Sequence, residues 1–134
     1  MRAWLVLLSL TTAVGAEPVG PPRWQQAAVA PALTRVWGAG SEVYGVGSTG
    51  VYRSTDGGAS WTAVGERSAA VGVWATAPDD VWVVRARSVL HSTDGEGVHW
   101  TSRALPLPFG AQLEGMWGAG LDLYVFGADR SSQA

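Results

Sequence analysis

From Leu33 onward, short runs in which apolar and polar residues alternate are separated by clusters of glycine, serine and aspartate. Leu33 to Gly38, Glu42 to Gly47, Val51 to Ser54 and Ser60 to Val64 make one set. Gly72 to Ala75, Asp80 to Arg85, Ser88 to Ser92 and His99 to Arg103 make a second, and Leu113 to Gly118 with Asp122 to Gly127 begin a third. A period of two bounded by turn residues predicts half-buried β-strands joined by tight reversals. Each full set therefore predicts a small antiparallel sheet, its strands labelled A to D in chain order.

Tryptophan spacing ties the sets together. Trp24, Trp61 and Trp100 are 37 and 39 residues apart, and Trp37, Trp74 and Trp117 are 37 and 43 apart. Two interleaved series with nearly equal periods mark equivalent positions of a repeat. Trp24 to Val29 aligns with the D strands, so the predicted order is D, ABCD, ABCD, AB. Four strands in about 40 residues is the size of a β-propeller blade. The expected fold is thus all-β, an incomplete propeller of about two and a half blades spanning residues 23–127. An array that stops after a B strand predicts a truncated piece with bare strand edges and apolar faces. Assembly of several copies into one ring and a small open stack are the alternatives.

The stretch joining strands C and D carries the most specific pattern. Ser54-Thr55-Asp56-Gly57-Gly58-Ala59-Ser60-Trp61 recurs as Ser92-Thr93-Asp94-Gly95-Glu96-Gly97-Val98-His99-Trp100, with one residue inserted. Asp-Gly-Gly reverses a chain because glycine tolerates positive φ. A short carboxylate accepts hydrogen bonds from the turn's own N–H groups, and the serine adds a hydroxyl to that network. The tryptophan is expected to begin strand D and to pack between sheets. The motif S-x-D-x-G-x-S-W resembles the Asp-box, or BNR repeat, of sialidases, sortilins and related propellers. The phrases Val36-Trp37-Gly38-Ala39-Gly40-Ser41 and Met116-Trp117-Gly118-Ala119-Gly120 are similar to repeat units of secreted bacterial Asp-box proteins, including propellers like the photosystem II stability factor. The resemblance implies a structural role for Ser54, Asp56, Gly58, Trp61, Ser92, Asp94, Gly97 and Trp100, remote from any ligand face.

Met1 to Ala16 reads as an export leader: Arg2, an apolar run from Ala3 to Leu10, and small residues at Val14-Gly15-Ala16 before a cut. The run is too short to span a bilayer. A Pro-rich linker, residues 17–22, follows, and residues 128–134 form a tail. Cleavage near Ala16 predicts a secreted or periplasmic product without a membrane anchor. Nine cationic side chains, all arginine, against eleven acidic ones leave a net charge of −2 and no footprint for nucleic acid. The chain has no cysteine, which excludes disulfides and thiolate chemistry.

Candidate chemistry is sparse. Asp56 and Asp94 occupy equivalent turns of successive sheets, farther apart than the roughly 5–10 Å of a glycosidase pair. The arginines are scattered and show no sialidase signature. Asp79-Asp80 reads as a solvated turn rather than the start of a calcium site. His91 and His99 lack a zinc spacing. No cofactor or metal is implied. Strands that alternate direction put the A–B and C–D connections at one end and the B–C and D–A connections at the other. The second end holds Ser48-Thr49-Gly50, Glu66-Arg67, Arg85-Ala86-Arg87, residues 106–110 and Asp129-Arg130. Arg67, Arg85, Arg87 and Arg130 are candidate contacts there for a carboxylate or glycan, beside the plainer reading of solvated turn residues. The sequence thus predicts an exported, non-catalytic scaffold that binds an unidentified protein or carbohydrate. The alternative is a fragment of an exported Asp-box glycoside hydrolase.

Overall fold

The structure, a computed structural model, describes residues 6–8, 24–26, 30–39 and 41–131. Within them every regular element is a β-strand. Strands β3 (Leu33–Ala39), β4 (Glu42–Gly47), β5 (Gly50–Ser54) and β6 (Thr62–Val64) form a first four-stranded sheet in chain order. A second four-stranded sheet consists of β7 (Gly72–Ala77), β8 (Asp80–Val84), β9 (Ser88–Ser92) and β10 (Thr101–Ala104). A third sheet has two strands, β11 (Ala111–Ala119) and β12 (Asp122–Asp129). Every pairing is antiparallel.

Three details of the expected layout change. Residues 24–26 form β2, which pairs with β1 (Val6–Leu8) and joins neither four-stranded sheet. Strand β1 falls inside the stretch read as a leader. The rest of the leader, the linker and residues 27–29 lie outside the described residues. The last strand is also longer than expected: β12 runs past residue 127 to Asp129 and keeps its pairing with β11 to the end. Finally, Trp61 and Trp100 precede β6 and β10 rather than opening them, for a reason found in the turns below.

The repeat extends below the tryptophans. Bulges interrupt the register at Leu33/Arg35 in β3 and at Leu113/Gly115 in β11, equivalent places in the first and third sheets. A Cβ at Gly47 would run into the Ala32 carbonyl, and one at Gly127 into the Gln112 carbonyl. Only glycine lets the two strands close at these points.

The second sheet packs between the other two, with β7 in contact with both β3 and β11. Cross-strand register sorts each sheet into two faces. Trp37 lies opposite Tyr44, and Val46 opposite Val51, on the face of the first sheet turned toward the second. Val73, Ala75, Val81, Val83 and Leu90 answer from the second sheet, and one buried cluster contains all of these except Trp37, which packs against it. Complete burial of a valine side chain contributes about 1.5–3 kcal/mol. This interface, supplied by alternate residues of several strands, is the main store of stability.

Candidate functional site

The two Ser-Thr-Asp turns sit at the end of the sheets that also carries the A–B connections. Gly57 N–H donates to the Ser41 carbonyl at 3.0 Å, and a Cβ on Gly95 would lie 3.4 Å from that of Asp79. In the first turn, Ser54 closes β5 and is 2% exposed. Its Oγ donates to Asp56 Oδ1 at 2.7 Å and accepts from the N–H groups of Asp56 and Gly58 at 3.3 and 2.8 Å. Asp56 in turn accepts from Ser60, through its N–H at 2.8 Å and its hydroxyl at 2.5 Å. Gly57 and Gly58 have φ of 68° and 92°, left-handed values that a side chain would strain.

The second turn reaches the same shape with different wiring. Ser92 Oγ donates to Asp94 Oδ1 at 3.0 Å, and the carboxylate collects four backbone donors: Glu96 and Gly97 on Oδ1, Val98 and His99 on Oδ2. The His99 ring adds a contact at 3.0 Å. The inserted residue enlarges the loop, and the carboxylate absorbs it because its two oxygens accept several bonds at once.

Each turn ends on the same anchor. Trp61 Nε1–H donates to the Gly58 carbonyl at 3.0 Å and Trp100 Nε1–H to the Gly97 carbonyl at 2.6 Å. Reaching back to a carbonyl three residues earlier keeps both tryptophans in the turn, ahead of the strand. The Trp100 indole lies against Gly65, where a Cβ would come within 2.6 Å of Nε1. It thereby ties the second sheet's turn to the end of β6.

Hydrogen bonds to the ionised form hold both carboxyls below their ordinary range. Those from Ser60, side chain first and backbone second, bring Asp56 from 3.8 to about 2. The His99 N–H leads the set that pushes Asp94 lower still. Both groups are thus held as carboxylates by their own turns, Asp56 first by the Ser60 hydroxyl and Asp94 first by backbone N–H.

At the opposite end, the D–A connections rest on the B–C turns. Ala70 N–H donates to the Gly47 carbonyl and Leu113 N–H to the Ala86 carbonyl. The four candidate arginines fare differently there. Arg87 is enclosed by carbonyls, donating to Ala111 at 2.6 Å, Leu107 at 3.0 Å and Pro108 at 3.4 Å, so it fastens the connection into β11. Arg85 pairs with Glu66 at 2.9 Å, and its Nε and Nη2 are buried with no partner among the described residues. Arg130 pairs with Glu114 at 2.7 Å. Arg67 alone of the four is exposed without a hydrogen bond or ion pair among the described residues; its Cα passes 3.4 Å from where a Cβ of Gly50 would lie. Nearby in the chain, the Thr49 and Tyr52 hydroxyls meet at 2.8 Å.

One cluster was not legible as a site. Asp80 opens β8 as expected, but its carboxylate, expected to be solvated, meets His91 Nε2 at 2.6 Å and the Thr76 hydroxyl. His91 stacks on Trp82 with centroids 3.8 Å apart and planes within 10°. Desolvation, the largest influence on Asp80, raises its pKa. The bonds from Thr76 and His91 outweigh it, and the net shift is downward. Trp82 and His91 are cross-strand neighbours, a relation that only the β8–β9 register reveals. Beside them a groove of about 370 Å³ runs between the outer strands of the second sheet and Met116, Leu123 and Val125 of the third. A second groove of about 460 Å³ lies between Arg53 and Thr62 of the first sheet and Glu96 and Val98 of the second turn. Arg53 is held at its edge by a two-bond pairing with Glu42 at 3.0 and 3.2 Å. No group of three or more metal-ligating residues occurs among the described residues, and no helix long and apolar enough to cross a membrane occurs among them.

No family model matches the chain, and no curated protein or solved structure matches it either.

Proposed function

We propose that this chain is an exported, non-catalytic binding scaffold made of Asp-box units arranged as propeller blades. It would take a protein or carbohydrate at the end opposite the Ser-Thr-Asp turns. The observation that carries this reading is where the charged groups point their bonds. Asp56 and Asp94 are engaged by their own turns, Arg87 by backbone carbonyls, and Arg85 and Arg130 by glutamates. These groups build the frame. Arg67 is left exposed, on the same end as the Thr49 and Tyr52 hydroxyls, a set suited to a carboxylate or sugar hydroxyls.

Three features support the blade reading. The first two sheets are four-stranded meanders, β7 adjoins both β3 and β11, and the Ser-Asp-Trp turn recurs in equivalent places. Export rests on the leader-like residues Met1 to Ala16, with cleavage near Ala16. The test is a glycan and protein array probed with the chain, its Arg67→Glu and Tyr52→Phe variants, and Glu96→Ala as a control on the Ser-Thr-Asp turn at the other end. Binding lost in the first two variants and kept in the control supports the reading. Hydrolysis of a chromogenic glycoside, abolished by one Asp or Glu substitution, would replace it with an enzyme.

A further inference from the structure

Each sheet has a leading face, turned toward the next sheet in the chain, and a trailing face turned back. The register assigns Trp37, Tyr44 and Val46 to the leading face of the first sheet. It assigns Trp74, Trp82 and Val84 to that of the second, and Trp117, Tyr124 and Phe126 to that of the third. Trailing faces carry smaller residues at the equivalent points: Val36 and Gly38, then Val73 and Ala75, then Met116 and Gly118. Large residues of one sheet therefore seat on small residues of the next.

The second interface shows the fit. Gly118 is buried, and the place its Cβ would take is filled by the Trp74 indole. In the first sheet the equivalent residue, Gly38, is exposed; among the described residues, the nearest atoms to a Cβ there belong to Glu42 and Val43 of the neighbouring strand, from 3.2 Å. Beside it Val36 is 44% exposed. At the other end the leading face of the third sheet is bare. Trp117 is 55% exposed and Tyr124 and Phe126 are each 54% exposed, whereas Tyr44, equivalent to Tyr124, is fully buried. The molecule thus presents an aromatic ridge at one end and its complementary glycine seat at the other.

We propose that copies of this chain associate head to tail, with Trp117 of one copy seated on Gly38 of the next as Trp74 seats on Gly118. The occupant of the bare aromatic face is a second copy because the chain itself carries the matching surface, and the contact continues an interface already made twice within one copy. Unlike faces meet, so the association is heterologous: it closes into a ring or extends as a filament. It does not depend on what the loop end binds.

The asymmetry supplies a sharp test. Trp117→Ala removes the ridge and leaves the seat; Gly38→Leu fills the seat and leaves the ridge. Light scattering on the full chain is expected to give a mass of several copies, and each variant alone the mass of one. An equimolar mixture of the two variants is expected to give the mass of two and no more, because only one productive contact can form. Tyr124→Ser substitutes for either variant that fails to show cooperative unfolding: it replaces Trp117→Ala directly, and if Gly38→Leu fails it is compared alone with the full chain. A single-copy mass for the unaltered chain would overturn the proposal and leave the face for a further repeat or a different protein. So would multimers that survive Trp117→Ala or Tyr124→Ser, or a mixture that exceeds two copies.

Discussion

The turn at 54–61 and the turn at 92–100 share Ser, Asp and Trp but divide the bonding differently. In the first, a buried serine hydroxyl takes two backbone N–H groups and the aspartate takes one. In the second, the aspartate takes four and the serine takes none. The tryptophan anchor is the same in both. The indole's bond to a carbonyl three residues earlier therefore holds the tryptophan's place, whereas the polar network is free to rearrange around an inserted residue. What is conserved between the two copies is the outcome for the backbone donors, not the atom that satisfies them.

The largest effect should come from the anchor. Trp100→Ala strips an indole from Gly65 and from the buried cluster between the first two sheets, and a loss of about 3 kcal/mol is expected in urea unfolding. If it costs no more than a surface change, the indole is not the tie between the first two sheets. Next come the serines. Ser54→Ala leaves the buried Gly58 N–H without its acceptor and should cost about 1–2 kcal/mol. Ser92→Ala removes a donor to an already satisfied carboxylate and should cost about half as much. Equal losses would show that the two networks are not wired differently.

Acid comes third, and its sign follows from linkage. The Asp56 pKa is depressed in the folded state, from 3.8 to about 2. Its contribution is therefore complete above pH 3.8 and is lost as pH falls toward 2. Asp94 titrates lower, so its share is lost later in the same descent. Stability measured across that window should fall with a slope that Asp56→Asn flattens; an unchanged slope in the variant would assign the acid sensitivity elsewhere. The smallest effect is expected from Trp117→Ala. In a single copy the half-exposed ring keeps its contacts with Trp74 and Tyr124, and its removal should cost no more than about 0.5–1 kcal/mol, against roughly 3 kcal/mol for Trp100.

Much of this comparison was legible in the sequence. Alternation located the strands, the spacing of Trp37, Trp74 and Trp117 aligned the sheets, and Ser-Thr-Asp-Gly located the turns. What stayed hidden depends on register or on distant backbone. His91 and Asp80 are eleven residues apart and meet through adjacent strands, with Trp82 stacked on the histidine. Arg87 resembled a surface cation because its partners are main-chain carbonyls, which no side-chain pattern announces. The pairing of β1 with β2 is hidden because a leader-like composition and a strand-like one share the same apolar residues.

The central claim is that the two turns are interchangeable parts of one repeat, held at equivalent positions by their tryptophans. Replacing residues 92–100 with the sequence of 54–61, one residue shorter, tests it most directly through thermal unfolding. The account predicts a cooperative transition with a midpoint close to that of the unaltered chain, because the Trp indole and its carbonyl partner return to the same place. A transition lost or lowered as far as by Trp100→Ala would contradict it.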